Sequence, residues 1–137
     1  MTVTVYIDGL AEPSNPGTGT YAFVMYDGGR RVAEGSGLAG REVTSNFAEY
    51  TALAEALKKL KGLGVEGDVL IRSDSKLLVG QMSGGWKVKG GMYLGKLKEA
   101  RDLLKGMGKV RFEWIPREEN QEADLLTRVA YETYGRG

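Results

Sequence analysis

A change of hydrophobic period at Thr44 divides the chain into two halves with different packing needs. Before it, apolar residues alternate with period two. The stretch Val3–Gly9 sets Val3, Val5 and Ile7 against Thr4 and Tyr6, with no charge on either face, which predicts an interior strand covered on both sides. It ends in Asp8-Gly9, placing a carboxylate where a buried strand leaves the core. Glu12–Gly19 reads as a loop, Thr20–Tyr26 as a second strand, Asp27-Gly28-Gly29 as a hairpin turn, and Arg30–Leu38 as a third strand of weakening apolar character at a sheet edge. Short connections make these an antiparallel meander.

After Thr44 the spacing becomes helical. Thr44–Lys61 carries Phe47, Tyr50, Leu53, Ala54, Leu57 and Leu60 on one side, an alanine stripe at Ala48, Ala52 and Ala56, and a stop at Gly62 and Gly64. Val69–Ile71 predicts a short strand and Ser75–Met82 a helix broken by Ser83-Gly84-Gly85. Trp86–Gly91 is a basic connector, Met92–Met107 a further helix, Val110–Trp114 a last strand, and Gln121–Tyr134 a final helix. The order βββ-α-β-α-α-β-α predicts an α/β (mixed α+β) fold: a five-stranded mixed sheet with helices packed on its faces, residues 1–137 forming one domain.

Composition narrows the chemistry. The chain has no cysteine and no histidine, which removes thiolate nucleophiles, imidazole bases and the usual zinc sites. Carboxylates, hydroxyls, amines or a hard metal ion on oxygen ligands remain. The net charge is only +1, yet nine Lys/Arg and two acids fall between Lys76 and Arg111. That segment suits a polyanion, and ordinary solvated helix faces would look the same. No apolar run reaches membrane-spanning length and the N-terminus does not read as a secretory signal, so a cytoplasmic protein is expected.

Four acids fall at strand exits or helix entrances: Asp8, Glu49 in the first turn of the first helix, Asp74 after the fourth strand, and Asp124 in the first turn of the last helix. Each has a structural alternative. Asp8 could cap a turn, Asn46-Phe-Ala-Glu49 fits a capping box, Asp74 could cap the next helix, and Asp124 could complement a helix dipole. Together they occupy the places where mixed sheets bind ligands. Converging carboxylates repel one another, and divalent cations resolve that repulsion. Residue reading alone thus reaches a metal-dependent phosphoryl-transfer site.

Ile7-Asp8-Gly9 with Asn15-Pro16-Gly17, Asn46-x-x-Glu49, Ser73-Asp74-Ser75 and Asn120-x-Glu-Ala-Asp124, in this order, resemble ribonuclease HI. The likeness runs from Val3 to about Tyr131, and Trp114–Asn120 (Trp-Ile-Pro-Arg-Glu-Glu-Asn) is most similar to the archaeal-type subgroup. The resemblance implies a ribonuclease H-like fold. It implies that Asp8, Glu49, Asp74 and Asp124 hold two Mg²⁺ ions, with Mn²⁺ as substitute, for endonucleolytic hydrolysis of the RNA strand of RNA·DNA hybrids to 5′-phosphate and 3′-hydroxyl ends. Glu49 would also contact a ribose 2′-hydroxyl. Asn15 and Asn46 would contact the hybrid and Thr44 a DNA-strand phosphate, although Asn15 could instead shape its turn and Thr44 or Asn46 could cap the helix.

Two departures from the family pattern stand out. The loop before Asp124, a common place for a histidine, is shortened to Arg117-Glu118-Glu119. The long basic protrusion of some members is reduced to Trp86–Gly91, which makes Trp86, Lys87 and Lys89 the candidates for backbone contact; Trp86 could equally be a core residue. Expected partners are the hybrid duplex, with double-stranded RNA as a further substrate, no membrane, and a monomeric state. The competing readings are a catalytically weak nucleic-acid-binding module of the same fold and a small-molecule phosphatase.

Overall fold

The computed structural model describes residues 2–135. Strands β1 (Thr2–Glu12), β2 (Gly17–Asp27) and β3 (Arg30–Val43) precede helix α1 (Ser45–Gly62). Strand β4 (Asp68–Ser73), helices α2 (Lys76–Met82) and α3 (Leu94–Leu104), strand β5 (Val110–Trp114), a 3₁₀ turn at Arg117–Glu119 and helix α4 (Gln121–Tyr134) follow. The sheet order is β3-β2-β1-β4-β5. β1 pairs antiparallel with β2, and β2 with β3; β1–β4 and β4–β5 are parallel. The predicted mixed five-stranded fold is what forms, with β3 at one edge as expected.

Alternation along β1 sorts the two faces. Val3, Val5 and Ile7 pack with Phe23 and Met25 of β2 and Val69 and Ile71 of β4 in the main core. Tyr50, Leu53, Leu57 and Leu60 of α1, Leu78 of α2 and Leu97 and Ala100 of α3 cover them. Each fully buried leucine contributes about 1.5–3 kcal/mol. The opposite face takes α4 through Ala123, Thr127 and Ala130, and buried Thr20 Oγ1 donates to Thr127 O at 2.9 Å.

Several boundaries differ from the sequence reading. Glu12–Gly19 is not a loop throughout: β1 runs on to Glu12 and β2 begins at Gly17, so Asp8 lies inside a strand rather than at its exit. β3 extends past Leu38 to Val43 because pairing with β2, not apolar content, holds it. A Cβ at Gly35 would sit 2.4 Å from the Phe23 ring, so glycine there makes room for that aromatic. The third helix is Leu94–Leu104 rather than Met92–Met107, and β4 is longer than Val69–Ile71.

Candidate active site

Asp8 is buried, and its position relative to β4 explains how other acids reach it. On one side Asp8 pairs with Ala22; on the other, the parallel partnership ends one residue earlier at Ile7–Ser73. Asp74 follows directly where that ladder stops, and its carboxylate comes to the Asp8 side. The opposite flank is shaped by Gly9. A Cβ on Gly9 would lie 2.3 Å from Glu49 N and 2.4 Å from Ala48 C, so α1 presses its first turns directly on this residue. That contact carries Glu49, which sits in the second turn of α1 rather than the first, to Asp8.

Carboxylate oxygens of Asp8, Glu49 and Asp74 all lie within 4.8 Å of one another. Asp124, from the first turn of α4, lies outside that trio but close enough for its charge and a side-chain hydrogen bond to act on Asp8. Asp124 Oδ2 also accepts from Arg128 Nε at 3.3 Å.

The capping alternatives are resolved for two acids. Thr44 caps α1, its side chain accepting from Phe47 N, so Asn46-x-x-Glu49 is not a capping box. Ser75 caps α2 by accepting from Leu78 N, which leaves the Asp74 carboxylate out of that role.

The electrostatics follow from this crowding. Burial first, then the charges of Asp74 and Asp124, push the Asp8 carboxyl up to about 8, against a partial offset from the Gly9 backbone N–H. Glu49 is driven well above the usual carboxylate range, chiefly by burial and next by Asp8 and Asp74. Asp74 is raised by burial, while a hydrogen bond from Asn120 and the Arg117 charge pull it back. Glu49 Oε2 is buried without a hydrogen-bond partner. An all-oxygen donor set with one orphaned carboxylate oxygen fits a hard divalent cation, which could be held by Asp8, Glu49 and Asp74 with Asp124 adjacent. The trio opens on a cleft of about 480 Å³ whose walls include Gly9–Glu12, Ser45, Trp114 and Arg117.

The other predicted contact residues are more scattered. Asn15 is exposed and its amide joins the β1–β2 loop to α1, with Nδ2 donating to Ser45 Oγ at 2.9 Å and Oδ1 accepting from Ser45 N at 3.0 Å. Asn46 is half-buried in the first turn of α1, with no side-chain hydrogen bond among the described residues. Trp86 is not a core residue: it is 52% exposed, and Lys87 and Lys89 beside it are exposed as well.

Sequence reasoning missed the role of Asn120. It is buried, and its Nδ2 donates to Ile7 O at 2.8 Å and Asp74 Oδ2 at 3.3 Å, clamping the acid to β1. Its place four residues before Asp124 was the only available signal. Trp114 Nε1 donates to Asp74 O at 3.1 Å, a second clamp from β5.

Residues 7–130 match the family described as "Reverse transcriptase-like". A ribonuclease HI of Synechocystis sp. is 32% identical over 146 residues, covering 95% of this chain and 88% of that protein. The chain belongs to the type 1 ribonuclease H family. Ribonuclease HI of Halobacterium salinarum is 37% identical over 129 residues, which cover 93% of this chain. Among ribonuclease H structures, LC11-RNase H1 in complex with an RNA/DNA hybrid has a TM-score of 0.89 at 34% identity, covering 96% of this chain and 97% of that one. The chain spans 63% of the length of the Halobacterium ribonuclease H and 35% of a bifunctional protein from Mycobacterium tuberculosis.

Proposed function

We propose that the protein is an endoribonuclease that hydrolyses the RNA strand of RNA·DNA hybrids, with divalent cations held by Asp8, Glu49, Asp74 and Asp124. The observation that carries this reading is the meeting of three carboxylates within 4.8 Å around an unpartnered Glu49 Oε2. Such a cluster repels itself unless protonated or bound to a cation. The substrate class is supported by the hybrid-bound relative LC11-RNase H1. When bound, two Mg²⁺ ions, with Mn²⁺ as a substitute, supply an activated water and charge stabilisation at the phosphodiester, giving 5′-phosphate and 3′-hydroxyl ends.

The chain's own residues do the rest. Asp8 and Glu49 must release protons before they can act as ligands, so cation affinity rises with pH as the raised Asp8 carboxyl ionises. Asn120 and Trp114 hold Asp74 in place. Glu49 takes the ribose 2′-hydroxyl, which separates RNA from DNA. Thr44 keeps its O–H for a DNA-strand phosphate, Asn46 and the remaining N–H of Asn15 face the duplex, and Trp86, Lys87 and Lys89 take its backbone.

The test is cleavage of matched RNA·DNA, RNA·RNA and DNA·DNA duplexes with Mg²⁺, Mn²⁺ or EDTA. Metal-dependent cutting of the RNA strand of the hybrid is expected, and cutting in the RNA·RNA lane would add double-stranded RNA to the substrates. A folded protein that leaves the hybrid intact with either cation overturns the proposal.

A further inference from the structure

Behind the basic connector lies a buried polar chain that the acidic site does not use. Tyr50 of α1, Gln81 of α2 and Tyr93 just before α3 are 1%, 2% and 6% exposed. Tyr50 OH donates to Gln81 Oε1 at 2.7 Å, and Gln81 Nε2 donates to Tyr93 OH at 3.0 Å. Tyr93 OH then donates to Lys89 O at 2.9 Å, while Gln81 Nε2 also reaches Lys87 O at 3.5 Å. The two tyrosine rings are stacked, with centroids 5.3 Å apart.

This chain can run in only one direction. The lysine carbonyls can only accept, so Tyr93 must donate; the Gln81 NH₂ must then face Tyr93, and its oxygen must face Tyr50. The Tyr50 hydroxyl is then the terminal donor of the chain. Every polar atom of the Gln81 side chain is engaged, in a place where an unmatched amide would be costly.

The connector itself has no helix or strand to hold it. It is held instead by the two inward-facing carbonyls, by Val88 packed against the core, and by the backbone N–H of Trp86, which donates to Gly80 O at 3.0 Å. Pinning the carbonyls of Lys87 and Lys89 inward turns their side chains out. Tyr50 also immediately follows Glu49, so the same turn of α1 anchors the acidic cluster and the connector.

We propose that the Tyr50–Gln81–Tyr93 relay is a positioning device that presents Lys87 and Lys89 to the nucleic-acid backbone in fixed register with the carboxylate cluster. It rests on the hybrid-nuclease reading for its ligand, and it adds the residues that set substrate affinity from inside the core. Pre-ordering the two lysines lowers the entropy lost when a duplex docks.

The experiment compares wild type, Tyr93→Phe, Gln81→Met, the double variant Lys87→Ala/Lys89→Ala, and that double variant combined with Tyr93→Phe. Binding of a fluorescent RNA·DNA hybrid is read by anisotropy in EDTA, separately from kcat and KM with Mg²⁺, and urea unfolding identifies conditions in which each variant is folded. Tyr93→Phe and Gln81→Met should each weaken hybrid binding by about three- to tenfold, the loss expected from one freed hydrogen-bonded anchor. KM should rise with kcat close to wild type. In the Lys87→Ala/Lys89→Ala background, Tyr93→Phe should cost nothing further, because the relay acts only through those side chains. Unchanged binding in a folded Tyr93→Phe protein, or an equal loss with and without the lysines, overturns the proposal. Failure of the wild type to cleave would remove the nuclease reading while the anisotropy comparison still decides this one.

Discussion

Replacing Asp8 by asparagine should stabilise the cation-free protein while ending its activity. Burial, and after it the charges of Asp74 and Asp124, raise this carboxyl from 3.8 to about 8. A carboxyl raised in the folded state binds its proton there more tightly than in the unfolded chain. The stability this gives is fully present below the ordinary aspartate value and is lost as pH rises through the raised one. At pH 7, about three pH units above 3.8, the folded protein has forfeited about 4 kcal/mol by this route, at about 1.4 kcal/mol per unit. Asparagine does not titrate, and its NH₂ finds acceptors in the neighbouring carboxylates, so a net gain of about 2–4 kcal/mol is expected. The assay is urea unfolding of both proteins in EDTA at pH 5, 6, 7 and 8. The advantage of Asp8→Asn should widen with pH by up to about 1.4 kcal/mol per unit. Saturating Mg²⁺ should raise the wild type, by about 2.7 kcal/mol at a hundred times Kd, and leave the variant unmoved. An advantage that does not grow with pH, or a variant less stable than wild type in EDTA, refutes the reasoning.

Three further outcomes are expected. Asp74→Asn should lower kcat/KM by more than about a hundredfold with the circular-dichroism spectrum unchanged, since it removes a proposed ligand rather than a helix cap; near-normal cleavage would dismiss that role. Gly9→Ala should destabilise by about 3 kcal/mol or more, because the added carbon meets the α1 backbone rather than a side chain that can move, and thermal unfolding reads it directly. Asn120→Ala should cost about 2–3 kcal/mol in urea unfolding by leaving Ile7 O unpaired, and weaken Mg²⁺ binding measured by calorimetry about 10- to 100-fold by freeing Asp74.

The sequence by itself determined the elements and their order. Period-two alternation and helical spacing are properties of neighbouring residues, so the three-strand meander, the long first helix and the final helix were all legible. The placing of Asp74 just past a strand and of Asp124 at a helix start was legible too, and so was the family motif. Local pattern failed where a residue's role depends on what lies across from it. Gly17 and Gly19 read as loop because glycine carries no pattern, and the third strand read only as far as Leu38; ladder pairing with neighbouring strands makes them strand and carries β3 on to Val43. Asp8 read as a strand exit, whereas its own strand continues and it is β4, a partner about sixty residues away in sequence, that stops beside it. Thr44 rather than Asn46 caps α1, a choice made by helix-end geometry that neighbouring polar residues cannot reveal. Only the tertiary structure decided that three of the acids meet within 4.8 Å, that Asn120 clamps one of them, and that Gln81 and two tyrosines hold the basic connector. The physical reason is common to all three. Each depends on which backbones approach closely enough to bring distant side chains together, and close approach belongs to the assembled sheet and its helices rather than to any window of sequence.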